Sequence, residues 1–140
     1  MPTISVRFAA FVLALAAAGC GNNSAATTTS PTTTTPTATT DTFVSSIAVR
    51  GSAARTFTTK SSGTVKVTLA TLGSGSSTVG LGIGVPATSA PCSLAQSVVT
   101  GPGSAPQIVT SADAGVYCVQ LFDTGRLTED TAFTLSIEHF

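Results

Sequence analysis

The sequence predicts an all-β domain, a two-sheet antiparallel sandwich that is jelly-roll-like with seven or eight strands. Three observations carry this expectation. From position 43 onward, short apolar runs alternate with polar residues at period two, Gly, Ser and Pro punctuate the runs, and no window sustains apolar residues at i, i+3, i+4 and i+7. A strand with one apolar face must bury it, and two sheets of such strands bury each other's faces.

The elements follow in order. Weak strands fall at 43–49 and 54–60, and Ser62-Gly63 reads as a hairpin turn into the next run. In Thr64–Leu69 the side chains of Val65, Val67 and Leu69 share one face, and those of Thr64, Lys66 and Thr68 the other. Val79, Leu81, Ile83 and Val85 repeat the pattern, with Gly80, Gly82 and Gly84 opposite. Glycine weakens a strand, so three on one face imply a backbone or loop packed close above, the Cys92 loop being nearest. The alternative is a flat groove for a partner strand or a sugar ring. One helical turn is allowed near Ser93–Gln96, followed by weak strands at 96–100 and 106–110. Tyr117, Val119 and Leu121 then form a core face. Phe133, Leu135 and Ile137 form the last one, with Thr134, Ser136 and Glu138 turned outward.

Composition bounds the function. The chain has 140 residues with 6 Lys+Arg against 6 Asp+Glu, and 9% of its residues are charged, where about 25% is usual. Neutral net charge with scattered cations excludes a grip on nucleic-acid phosphates, which needs a basic patch. The single histidine, His139, stands one residue from the end of the sequence, where chains fray. There is no Gly-x-Ser-x-Gly elbow, Ser-x-x-Lys pair or Cys-x-x-Cys motif, so the expectation is a non-enzyme, with a small secreted hydrolase the last of the readings.

The N-terminus carries an address. Arg7 precedes an apolar run from Phe8 to Ala18, the n- and h-regions of a secretory signal, too short to span a bilayer as a helix. Ala17-Ala18-Gly19-Cys20 resembles a bacterial lipobox, with Ala17 where the usual Leu stands. The resemblance implies cleavage of 1–19 as a lipoprotein signal peptide and acylation (palmitate) of Cys20, which would anchor the protein in the lipid bilayer of the cell envelope. Gly21 at the position where Asp would retain a lipoprotein in the inner membrane implies the outer membrane, if the host has two. Residues 20–42 then form a tether: 25–40 hold ten threonines and two prolines with no apolar period, a disordered spacer that is also open to O-glycosylation. The β domain occupies 43–140.

With Cys20 acylated in an oxidising compartment, Cys92 and Cys118 are left to pair as a disulfide. Alternation points Cys118 away from the Tyr117 face, so the bridge is expected to pin the Pro86–Ser97 loop across the outside of a sheet. Tyr117 reads as a core ring with its hydroxyl on a backbone partner, or alternatively as a ligand-stacking ring. Asp123, Glu129 and Asp130 flank Gly125-Arg126 between the last two strands. They read as a solvated loop with a local ion pair, or as oxygen ligands for calcium, the one cofactor the sequence leaves open.

Asp113-Ala114-Gly115-Val116-Tyr117-Cys118 invites an immunoglobulin reading, but Tyr117 and Cys118 are adjacent and Trp is absent. An early Phe-bearing strand, Gly-Thr-Val-Lys-Val-Thr-Leu at 63–69, Ala-Gly-Val-Tyr-Cys-Val-Gln-Leu at 114–121 and Phe-Thr-Leu-Ser-Ile at 133–137 together resemble the pre-peptidase C-terminal domain family. That resemblance implies a β-sandwich or jelly-roll accessory module of secreted bacterial proteins. The functional expectation is a membrane-anchored, non-catalytic lipoprotein serving as a binding or structural module, with an envelope protein or glycan as partner. The alternative is a calcium-dependent glycan or matrix binder.

Overall fold

The computed structural model describes residues 35–73 and 77–140, and every regular element among them is a strand. The segment read as a signal peptide, Cys20 and most of the segment read as a tether lie outside the described residues. Eight strands run in order: β1 (Thr39–Ile47), β2 (Ser52–Thr59), β3 (Gly63–Leu72), β4 (Val79–Val85), β5 (Ser93–Thr100), β6 (Ile108–Ala112), β7 (Gly115–Phe122) and β8 (Thr131–His139). They form two antiparallel four-stranded sheets, β1-β8-β3-β6 and β2-β7-β4-β5, which is the strand order of a jelly roll.

The alternation read from the sequence fills the space between the sheets. Val65, Val67, Leu69 and Leu72 of β3 and Phe133, Leu135 and Ile137 of β8 meet Val79, Leu81 and Ile83 of β4 and Val119 and Leu121 of β7. Phe57, Ile47, Ile108 and Leu127 complete this core. Leu69 and Leu72 are three apart yet both face inward, because a bulge in the β3–β8 ladder between Leu69 and Thr71 resets the parity of the strand.

Four local expectations are corrected. Ser62-Gly63 does not close a hairpin: β2 and β3 belong to different sheets. The amides of Lys60 and Ser61 donate to the carbonyl of Phe140 at 2.7 and 3.4 Å as the chain crosses over, and the only in-sheet hairpin among the described residues is β4–β5. Ser93–Gln96 is not a helical turn but the start of β5, which pairs with β4 with a one-residue bulge at Ala95. β1 begins at Thr39, inside the span that composition assigns to the tether, because Thr39–Thr42 find ladder partners on β8. His139 is not frayed: it is the buried last residue of β8.

Candidate functional site

Two of the three carboxylates considered for calcium, those of Asp123 and Asp130, accept backbone amides. Asp123 follows β7, and its Oδ1 accepts the amides of Gly125, Arg126 and Leu127 at 2.8, 2.9 and 3.1 Å. Its Oδ2 accepts the amide of Arg50, at 2.8 Å, from the β1–β2 turn. Asp130 Oδ1 accepts the amide of Val49 at 3.2 Å, while the side chain of Glu129 stays exposed. The two aspartates thus clasp one end of the sandwich, with Leu127 buried beneath as a plug. Among the described residues no group of three His, Cys, Asp or Glu side chains is placed to hold a metal ion.

The Arg50 amide, followed by those of Arg126, Leu127 and Gly125, holds the Asp123 carboxyl below the ordinary aspartate range, although desolvation opposes the shift. A lowered folded-state value means that this carboxylate's contribution is complete above the unfolded value and is lost as pH falls through the folded one. Asp123→Asn is therefore expected to lower the melting temperature at neutral pH and to flatten the fall in stability below about pH 4. Thermal melts across the acid range check this, and an unchanged acid limb would overturn it.

The sole imidazole is built into the core. His139 Nε2 lies 3.3 Å from Asp41 Oδ2 on the neighbouring strand, and its ring packs on Phe57 of the opposite sheet with centroids 5.2 Å apart. Its Nδ1 is buried and has no partner among the described residues, so the nitrogen left free by Asp41 faces no solvent. Tyr117 packs against the core and donates its hydroxyl to the carbonyl of Asp113 at 3.2 Å. Thr59 Oγ1 donates to the same carbonyl at 2.6 Å, so the β6–β7 corner is held from two strands.

Cys92 and Cys118 are bonded, with Cα atoms 5.8 Å apart. Cys118 sits opposite Gly84 on β4, on the outward face, and the segment carrying Cys92 lies over it. The glycine stripe is filled rather than open. A Cβ on Gly80 would overlap the Phe122 ring, one on Gly82 would come within 2.7 Å of the Leu94 side chain, and one on Gly84 would collide with the Ser93 carbonyl. The roof expected from the Cys92 loop is thus made by the first residues of β5 together with Phe122 of β7. No groove for a sugar ring remains there.

What stays open is one long side of the sandwich. The sheets end on that side with β5 and β6, and a narrow groove of about 120 Å³ between them is lined by Ile83, Val85, Ala95, Gln96, Thr110 and Tyr117. Val85 sits at the end of its strand and faces this groove, which is why it is 50% exposed although its alternation is that of a core residue. All of β5 but Thr100 is exposed; Val99 stands out at 58% and Val109 of β6 at 55%. No family model, curated protein or solved structure matches the chain. What this edge does is therefore a matter of its own chemistry.

The chemistry of the edge is distinctive in one respect. From Val67 to Ala112, a span containing all of β4, β5 and β6, there is no Asp, Glu, Lys, Arg or His. Proteins commonly guard an edge strand with an inward-pointing charge, a Lys or a Pro, and β5 has none of these within it. The opposite long side is protected. There the guanidinium of Arg55 donates to the Thr42 carbonyl at 3.1 Å and lies 5.7 Å from the Phe43 ring, tying β2 to β1. Pattern reading missed the open edge because β5 has no buried face and so no period. The uncharged run was visible in the sequence and is the signal that could have found it.

Proposed function

We propose that this protein is a lipid-anchored, non-catalytic module of the cell envelope, whose jelly roll presents the β5/β6 edge as its recognition surface. The observation that carries the reading is that edge: two exposed strand margins and an apolar groove, within a stretch free of charge. Unpaired strand edges recognise partners by main-chain hydrogen bonds. The side chains that chemistry would need are engaged elsewhere, Asp123 and Asp130 in the loop clasp and His139 on Asp41 and Phe57. The resemblance of 63–69, 114–121 and 133–137 to pre-peptidase C-terminal modules points the same way, to an accessory rather than a catalytic role. Localisation comes from Cys20 and reach from the Thr/Pro-rich segment, which at roughly 3.1 Å per residue lets the domain stand tens of ångströms from the bilayer.

The anchoring half of the reading has a direct test. In a lipoprotein-processing bacterium, the full-length protein is expected to incorporate labelled palmitate and to resist extraction from membranes by alkaline carbonate. Cys20→Ala is expected to abolish the label. Labelling that persists in Cys20→Ala, or is absent from the wild type, would overturn the assignment.

A further inference from the structure

We propose that β5 pairs edge to edge, antiparallel, with β5 of a second copy of this chain, joining two β2-β7-β4-β5 sheets across a two-fold axis. The inference rests on the reading of the β5/β6 edge as a recognition surface and names its partner. β5 ends its sheet, so the backbone N–H and C=O groups on its outer side have no ladder partner among the described residues. An identical strand laid antiparallel supplies the complementary set, because the antiparallel ladder is unchanged by a two-fold rotation.

Charge selects the second copy over a different protein. A two-fold axis brings a strip of surface against itself, so a charge close to the axis meets its own copy, which is unfavourable. A strip that must face itself is best uncharged, and the span from Val67 to Ala112 is. Partners of different sequence have no such restriction and gain specificity from complementary charges. A lipid surface is a poor occupant, because hydrocarbon leaves backbone polar groups unsatisfied.

The side chains suit sheet extension. Val98 lies opposite Leu81 and continues the inner face, and Val99 lies opposite Gly80 on the outer face. Each face of the joined sheet therefore gains β-branched residues next to the new seam, where cross-strand pairs of this kind are favourable. The bulge at Ala95 is confined to the first half of β5, leaving Gln96–Thr100 in regular register with β4. Anchoring both copies in one membrane would raise their effective concentration, so even a seam of modest affinity would be occupied.

The test uses the full-length protein, extracted from its membrane in mild detergent, with its mass followed against concentration by sedimentation. The wild type is expected to be a dimer. Val99→Lys sets like charges beside the seam and is expected to weaken self-association by about tenfold or more. Val116→Lys, on the exposed face of β7 where Val116 is 53% exposed, is expected to remain dimeric. Thermal melts show that each variant is folded, and concentration-dependent protection of β5 amides from hydrogen exchange places the seam without any substitution. A wild type monomeric at every concentration, a dimer that Val99→Lys leaves intact, or β5 amides that exchange freely within a dimer would each overturn the proposal. Palmitate labelling of the same preparation reports the anchor separately. A labelled monomer defeats the β5 pairing and leaves the anchored-module reading standing, whereas an unlabelled dimer does the reverse.

Discussion

Phe133→Ala is expected to remove about 3–5 kcal/mol of folding stability, a large share of the roughly 5–15 kcal/mol that a domain of this kind has in total. Phe133 is 1% exposed and heads the largest fully buried side chains. It stands on β8, which lies between β1 and β3, so its ring serves one of the two inner strands of its sheet. It also meets Phe43 edge to face, with ring centroids 5.2 Å apart and planes at 88°, an arrangement that contributes beyond burial alone. Truncation would leave a cavity between rigid sheets whose backbones are tied on both sides, so collapse into it is limited. Phe133→Leu keeps most of the volume and is expected to cost far less. Urea unfolding followed by circular dichroism measures both, and a loss below about 1.5 kcal/mol for the alanine variant would mean that the core is not centred on β8.

Reduction of the Cys92–Cys118 bond is expected to cost about 3 kcal/mol, the loop-closure entropy regained by the unfolded chain. The bridge spans 26 residues and fastens the start of β5 to β7, across β4. Its loss should therefore act locally as well, loosening the roof that Ser93 and Leu94 make over Gly84 and Gly82. Cys92→Ala and Cys118→Ala are expected to match the reduced wild type in unfolding midpoint, and reductant should not shift either variant further. Alkylation provides a second readout: neither thiol should react in the folded protein until reductant is added. A midpoint indifferent to reductant would show that the bond adds nothing to the fold.

Sequence pattern was informative wherever a strand has one wet and one dry face. Val65, Val67 and Leu69, or Phe133, Leu135 and Ile137, announce themselves because each neighbour of the opposite parity is polar and the sheet buries one side only. The failures share the opposite cause. β5 is exposed on both faces, so Ser93–Gln96 carry no period and look like a turn. Ser62-Gly63 has hairpin chemistry, yet what holds Lys60 and Ser61 is the carbonyl of Phe140, a partner some eighty positions away that no local window contains. Asp123, Glu129 and Asp130 are oxygen donors close together in sequence. What residue type could not reveal is that the turn at Val49 and Arg50 supplies amide donors to two of them. The position of Leu72 depends on a bulge, and a bulge leaves no mark in the alternation except the skipped step itself.

The pairing of β1 with β8, Thr39 opposite His139 through to Ile47 opposite Thr131, bears on how the chain reaches this state. Synthesis delivers a chain from its N-terminus, so β1 emerges before the other described strands and β8, its ladder partner among the described residues, after them. β3, too, has β8 as its principal neighbour. The first sheet consequently cannot be assembled on a partial chain, and contacts this distant in sequence close slowly. The incomplete chain therefore lacks its first sheet until β8 is free. Removal of β8 would then leave β1 and β3 without their shared partner, and a product cut short before Thr131 should be cleared by proteases rather than accumulate as a smaller domain.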